Sequence, residues 1–90
     1  MSFRLAWSEV ALEELARAAA WSRPQAEAVV NAMEWMAETG FSLGRPVEGT
    51  AELYWPVPPL GVFYALQGDL LEVLEIVDRR RKTDRGPNPR

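Results

Sequence analysis

Two residue types that often carry chemistry are missing, since the chain has no cysteine and no histidine. Without cysteine it can form neither disulfides nor thiolate–metal sites. Without histidine it lacks the most common metal ligand and the side chain best suited to proton transfer near neutral pH. We therefore expect a protein that needs no metal and no other cofactor.

Long apolar runs are also missing. No stretch approaches the roughly 20 consecutive apolar residues with which a helix crosses a bilayer. Residues 1–7 hold one arginine and only a short apolar run, which is unlike a signal peptide. We therefore expect a cytoplasmic protein with no membrane partner.

What the chain does contain is enough apolar surface for one small domain. It has 90 residues, of which 48% are hydrophobic, and a net charge of −3. The charge is uneven, because residues 1–78 hold four cations against twelve acids and residues 79–90 hold six cations against one acid. An acidic body repels phosphates, so a broad nucleic-acid-binding face is disfavoured. We predict a folded domain over residues 1–82 and a frayed basic tail over residues 83–90.

The first half of the chain predicts a strand and two helices. Apolar and other residues alternate over residues 3–7, which indicates a short strand. Ser8 then has the character of an N-cap for a helix over residues 9–20. A second amphipathic helix is predicted over residues 24–39, with Gly40 as its C-terminal cap. So short a break between them predicts an antiparallel helical hairpin.

The second half predicts three strands. A loop over residues 41–50 leads to a strand over residues 52–57. Two apolar runs, 62–66 and 70–77, flank a turn at Gly68 and predict a β-hairpin. The order is therefore β-α-α-β-β-β, an α+β fold in which an antiparallel meander packs on the helical hairpin and the first strand lies beside the last.

Three strings in this order resemble the RelE/ParE superfamily of bacterial toxins: WSEVALEELARAAAWSRPQAEAVV, then LGRPV followed by ELYWPV, then PPLGVFYALQGDLLEVLEIVDRRRK. The resemblance covers roughly residues 3–82. It implies a type II toxin–antitoxin module, in which a co-encoded antitoxin binds the toxin as a hetero-oligomer and holds it inactive. It leaves the target open, because RelE-like members cut mRNA in the ribosome whereas ParE-like members inhibit DNA gyrase.

Several residues depart from the RelE-like pattern. Gly61 stands where an early basic residue of the third strand is typical, and the strand 52–55 carries an acid and no cation. The tail has neither the tyrosine nor the histidine that is often present. Three consecutive arginines, Arg79, Arg80 and Arg81, match the basic pair after the last strand and can hold a phosphate, but arginine cannot act as a base. We therefore favour a ParE-like toxin that binds its target, with an mRNA endonuclease and an inactive binding protein as alternatives.

Two sets of candidate site residues follow. The first set contacts a phosphate, the target or the antitoxin, or is simply a solvated strand end or a cap on the sheet edge: Arg79, Arg80 and Arg81. The second set lies at an antitoxin or target interface: Trp21, Trp35, Arg45, Tyr64 and Lys82. Packing in the core is the competing role for Tyr64, and pairing with Glu48 or Glu52 is the competing role for Arg45. We also predict that Glu72 and Glu75 lie on opposite faces of the last strand. One of them then pairs with an arginine, for which Arg4 is the candidate, or contacts a basic antitoxin segment.

Overall fold

The structure is a computed structural model that describes residues 2–80. Arg81, Lys82 and the predicted tail therefore lie outside the described residues. The elements, in chain order, are β1 (Arg4–Trp7), α1 (Glu9–Trp21), α2 (Arg23–Thr39), β2 (Arg45–Pro46), β3 (Glu52–Val57), β4 (Leu60–Gln67) and β5 (Leu70–Asp78). Neither of these two helices is long and apolar enough to span a bilayer.

The helix ends confirm the local sequence signals. Ser8 is extended, and its Oγ accepts a hydrogen bond from the backbone N–H of Ala11 at 3.0 Å. Ser22 Oγ accepts from the backbone N–H of Gln25 at 3.4 Å at the start of α2. Gly40 has φ +77°, the left-handed conformation that glycine adopts at helix ends without steric cost. Each cap satisfies a backbone group that the helix leaves without a partner.

One five-stranded sheet contains all the strands, in the order β1-β5-β4-β3-β2. β1 runs parallel to β5, and the other pairs are antiparallel. This confirms the α+β prediction, the meander and the position of the first strand beside the last. The strand β2 falls within the segment predicted as a loop. It has only two residues, so no alternation could reveal it, and it exists because Arg45 and Pro46 lie opposite Tyr54 and Leu53.

The helices cover one face of the sheet and create the core. The largest fully buried side chains there come from α2, β4 and β5: Val29, Met33, Met36, Val62, Tyr64, Leu71 and Val73. Leu53, Trp55 and Val57 of β3 pack against this cluster from the same face. Tyr54 therefore points to the opposite face, as the alternation predicts. This second face, which we call the open face, has no helix of residues 2–80 packed on it.

A β-bulge changes the faces in the last strand. Glu75 pairs with Phe63, and Val73 pairs with Tyr64, so Leu74 is an extra residue in β5. Because Glu72 pairs with Ala65, two residues from Phe63, Glu72 and Glu75 share the open face. The prediction that they lie on opposite faces was wrong, since strict alternation assumes an unbroken strand.

The predicted pairing of Arg4 with one of these glutamates was also wrong. Arg4 instead forms a salt bridge with Asp69, with Nη2 at 3.0 Å from Oδ1, and its Nε donates to both carboxylate oxygens at 3.2 Å. The hydrogen bonds and the charge of Arg4 lower the pKa of Asp69. The pair ties β1 to the turn between β4 and β5 at an exposed position.

Candidate functional site

A compact aromatic cluster lies on the open face at the centre of the sheet. Tyr54 of β3 and Phe63 of β4 face each other in register, and their ring centroids are 4.9 Å apart. Gly61, two residues before Phe63, lies under the Tyr54 ring. A Cβ atom at Gly61 would lie 2.5 Å from Tyr54 Cε1, well inside van der Waals contact. The ring thus occupies the space that a side chain at position 61 would need.

Arg79 lies directly on this cluster. Its backbone N–H donates to the carbonyl of Pro59 at 2.8 Å, which holds the residue beside the start of β4. Its Nη1 donates to Tyr54 Oη at 3.1 Å, and its Cζ lies 5.7 Å from the centre of the Tyr54 ring. Both contacts are to an uncharged partner. The Arg79 guanidinium is therefore held in place while its charge is not neutralised by that partner.

The neighbouring arginine has a different environment. The Arg80 side chain forms two hydrogen bonds with the Asp78 carboxylate, from Nε at 3.0 Å and from Nη2 at 2.7 Å, and its backbone N–H donates a third at 3.0 Å. The hydrogen bond to Asp78 raises the pKa of Arg80. Its guanidinium also lies 4.6 Å from the centre of the Trp21 ring, at the end of α1. Arg80 therefore joins the strand end to the helical hairpin, and a carboxylate compensates its charge.

The arginine block is thus not one uniform site. The sequence gives no reason to distinguish Arg79, Arg80 and Arg81. In the structure, Arg79 contacts Tyr54 on the open face, whereas Arg80 contacts Trp21 of α1. Arg81 lies outside the described residues. Of the two described arginines, Arg79 is the better candidate for binding an anion, because Asp78 already neutralises Arg80.

A cleft of about 400 Å³ lies between α1 and the end of β5. Its lining includes Glu14, Arg17 and Trp21 of α1 and Arg80 after β5. Glu14 accepts a hydrogen bond from the backbone N–H of Ile76 at 2.6 Å. This part of β5 extends beyond the end of β1, so Glu14 satisfies a strand edge that would otherwise be open. The cleft contains charges of both signs and has no clear preference for one ligand.

The interface candidates fall into two groups by exposure. Trp21 and Trp35 are exposed by 45% and 46%, and Trp35 stacks on the exposed Phe41 at 6.2 Å. Arg45 is exposed on the edge strand β2. Tyr64 is fully buried instead, so it offers no surface to a partner. Lys82 lies outside the described residues.

Buried Tyr64 has a structural role. Its hydroxyl is 2.7 Å from Ser42 Oγ and accepts from the backbone N–H of Gly44 at 2.8 Å. Gly44 is required for this approach, because a Cβ atom there would lie 2.5 Å from the hydroxyl. Tyr64 therefore anchors the segment before β2 to the centre of the sheet.

The two helices leave an apolar groove of about 360 Å³ on their outer side. It is lined by Leu12, Leu15, Ala16, Ala19, Arg23, Ala26, Glu27 and Val30. Leu12 is 50% exposed, which is unusual for a leucine on the apolar side of a helix. By helical spacing, Glu9, Glu13 and Glu34 lie beside the groove in addition to Glu27. The groove thus has an apolar floor and a mainly acidic border.

Sequence analysis missed the two residues that organise the open face, Tyr54 and Gly61. Gly61 was noted only for the cation it lacks. The alternation in β3 placed Tyr54 opposite Leu53 and Trp55, but it gave no reason to connect the phenol with Arg79. A hairpin register across the Pro58–Pro59 turn would have brought Tyr54 and Gly61 together. In residues 2–80 no group of three or more acidic side chains is placed to hold a metal ion.

Known proteins resemble this chain in fold but not in sequence. No protein-family model and no curated protein matches this chain. A chain of the toxin–antitoxin complex RelBE2 from Mycobacterium tuberculosis superposes with a TM-score of 0.74 at 13% identity, covering 88% of this chain and 100% of that chain. The YoeB/ParE toxin from Agrobacterium tumefaciens gives 0.70 at 17% identity, covering 84% and 98%. The chromosomal ParDE system from P. aeruginosa gives 0.66 at 16% identity, covering 86% and 96%.

These likenesses establish the architecture, which is that of RelE, ParE and YoeB toxins. The shared part extends over almost the whole of each matched chain. At such low identity, the side chains on the surface have to be judged from this chain itself.

Proposed function

We propose that this chain is the toxin of a type II toxin–antitoxin module. It acts in the bacterial cytoplasm, inhibits growth by binding an essential target, and is neutralised by a cognate antitoxin. The observation that carries the proposal is the fold. It matches chains described as toxins or as parts of toxin–antitoxin complexes over 84–88% of this sequence in the three comparisons above. DNA gyrase is the target that we put first.

The open face supports binding in preference to RNA cleavage. Cleavage through the 2′-hydroxyl needs a group that moves a proton, and an arginine side chain is not suited to that role. The phenol of Tyr54 is engaged by Arg79, and position 61 has no side chain. The same face carries the carboxylate of Glu72, whose charge opposes an approaching RNA strand.

One observation favours the alternative, a RelE-like mRNA endonuclease. Arg79 presents a guanidinium that its phenol partner leaves charged, and such a group can bind a scissile phosphate. A third possibility is a family member without toxicity that acts only as a binding protein.

The groove between α1 and α2 is the surface that we assign to the antitoxin. An apolar floor with an acidic border fits an amphipathic helix that carries cations beside its apolar stripe. Glu27 and Arg23 line the groove, and Glu9, Glu13 and Glu34 lie beside it by helical spacing. The partner expected here is therefore an antitoxin segment that is helical and basic.

Expression without an antitoxin tests the toxin proposal. We expect growth arrest while the cellular transcripts stay intact. We also expect the purified chain to inhibit DNA supercoiling by purified DNA gyrase. Cuts in step with codons, detected by primer extension, would assign the chain to the endonuclease class instead. Unimpaired growth with confirmed soluble protein would leave only the non-toxic binding protein.

A matched pair of variants tests the groove. Leu12→Asp places a charge on the floor, whereas Val10→Asp places one on the same helix at 52% exposure, compared with 50% for Leu12. When the product of the neighbouring gene is co-expressed as the antitoxin, we expect it to rescue cells that carry Val10→Asp and to fail with Leu12→Asp. Equal rescue of both variants would exclude the groove as the antitoxin surface.

A further inference from the structure

We propose that Tyr54 is a positioning residue for Arg79, and that the two together present a guanidinium edge to a carboxylate of a protein target. The inference rests on the proposed function only for the identity of the target. The positioning itself follows from contacts within the chain.

The first step concerns how firmly Tyr54 is placed. The side chain is only 3% exposed, although it lies on the open face of the sheet. It is confined by Phe63 at 4.9 Å and by the backbone of Gly61 beneath it. Such packing restricts the orientation of the ring, so the phenol oxygen has a defined position on the open face.

The second step concerns what Tyr54 does to Arg79. The phenol accepts from one of the five N–H donors of the guanidinium, and the ring supplies a second contact through its face. Arginine loses much rotamer freedom when it binds a ligand, and a side chain that is already held loses less. Because Tyr54 carries no carboxylate, it does not compensate the positive charge of the guanidinium. The other N–H donors of Arg79 can then bind an anionic ligand.

The third step concerns the ligand. A guanidinium edge matches the paired oxygens of a carboxylate or a phosphate. Glu72 shares the open face with Tyr54 by its strand register. Its negative charge opposes the repeated charges of a nucleic acid far more than it opposes one carboxylate on a protein surface. We therefore assign the protein carboxylate.

Arg80 provides an internal control. Its Nε and Nη2 already bind the Asp78 carboxylate, so its own edge is occupied. If the mere presence of arginine at this end of the sheet were enough, Arg79 and Arg80 would respond alike to an added carboxylate. If the Tyr54 phenol positions Arg79, an added carboxylate should bind strongly to Arg79 and only weakly to Arg80.

The test is an NMR titration of the Arg79 Nε–Hε signal with glutarate at constant ionic strength. In the unmodified chain, we expect the chemical shift to change more per unit of glutarate concentration for Arg79 than for Arg80. We call this rate of change the slope. Tyr54→Phe keeps the ring and removes the hydrogen bond, so we expect the Arg79 slope to fall about 2–10-fold, the worth of one net hydrogen bond. Assignment of the signal is checked with Arg79→Ala, which must lack it.

Tyr64→Phe is the matched structural control, because it removes a buried phenol on the other face. It should lower the thermal midpoint, since Gly44 loses its acceptor, but leave the Arg79 slope unchanged. An unchanged slope in Tyr54→Phe, or an Arg80 slope as steep as that of Arg79, would overturn the positioning role. A 12-nucleotide RNA that shifts the Arg79 signal at lower concentration than glutarate would overturn the assignment to a protein.

The titration does not depend on toxicity. If the unmodified chain fails to arrest growth, the proposed function fails while the Tyr54–Arg79 result stands. If growth is arrested and the titration shows no effect of Tyr54→Phe, the toxin proposal survives and this inference does not.

Discussion

Replacing Gly61 by alanine is the sharpest test of the open face, because it adds one methyl group at a defined point. The backbone of Gly61 is an ordinary part of β4, paired with Pro56 and Val77, so alanine has no conformational difficulty there. The difficulty is steric. The new methyl carbon would lie 2.5 Å from Cε1 and 2.6 Å from Cζ of Tyr54.

The magnitude follows from this overlap. Carbon atoms prefer separations of about 3.5–4.0 Å, so the Tyr54 ring has to move by about 1 Å. The ring is confined by Phe63 and Arg79, and overpacking of this kind typically costs about 1–3 kcal/mol. In a domain of this size about 2 kcal/mol lowers the thermal midpoint by roughly 8–16 °C. We therefore expect Gly61→Ala to lower the free energy of unfolding by about 1–3 kcal/mol.

Urea unfolding of four proteins isolates the cause: the unmodified chain, Gly61→Ala, Tyr54→Val and the double variant. In the valine background the ring is gone, and alanine should stabilise the strand by about 0.5–1 kcal/mol, because glycine loses more backbone entropy. The effect of Gly61→Ala therefore changes sign. If alanine destabilises equally in both backgrounds, the Tyr54 ring does not occupy the space above position 61.

Three further predictions concern contacts elsewhere. Ser8→Ala should cost about 1–2 kcal/mol in unfolding free energy, because Oγ caps α1 and also donates to a β5 carbonyl at 2.7 Å. Tyr64→Phe should cost about 1–3 kcal/mol, because the Gly44 N–H at 2.8 Å loses its acceptor in a part-buried position. Asp69 has its pKa lowered by Arg4, so the pair stabilises the fold above the ordinary aspartate pKa of about 3.9, and this contribution disappears as the pH falls through the lowered value. Carboxyl NMR titration measures the last effect directly.

Each of these predictions has a comparison that can contradict it. Ser22→Ala removes a longer cap of 3.4 Å and should cost less than Ser8→Ala, so the reverse order would refute the geometry. An unchanged unfolding free energy in Tyr64→Phe would show that Gly44 finds another acceptor. Arg4→Ala should return the Asp69 pKa to its ordinary range, and an ordinary pKa already present in the unmodified chain would contradict the salt bridge.

Local signals in the sequence were sufficient for the elements and their order. Ser8 and Gly40 mark helix ends because a cap acts within one turn of chain. Gly68, with φ +58°, marks the β4–β5 turn because few other residues adopt that conformation at low cost. Alternation in residues 52–57 separated Tyr54 from the core side of β3. All these signals act between residues close in sequence.

The sheet face on which a side chain lies, and the residues that it contacts, depended on the tertiary structure. The bulge at Leu74 moves Glu72 and Glu75 to one face, and nothing in the composition of β5 announces it. The two-residue strand β2 exists only through its pairing with β3. Arg79 and Arg80 are identical in sequence terms, yet one meets a phenol and the other a carboxylate.

The sequence by itself therefore determined a histidine-free and cysteine-free α+β domain with a cationic end to its last strand. Only the folded chain decided that Gly61 makes room for Tyr54, and that Tyr54 holds Arg79. The reason is physical: capping and alternation depend on neighbours along the chain, whereas the Tyr54–Arg79 contact joins residues 25 positions apart through strand register. Register depends on the packing of the whole sheet.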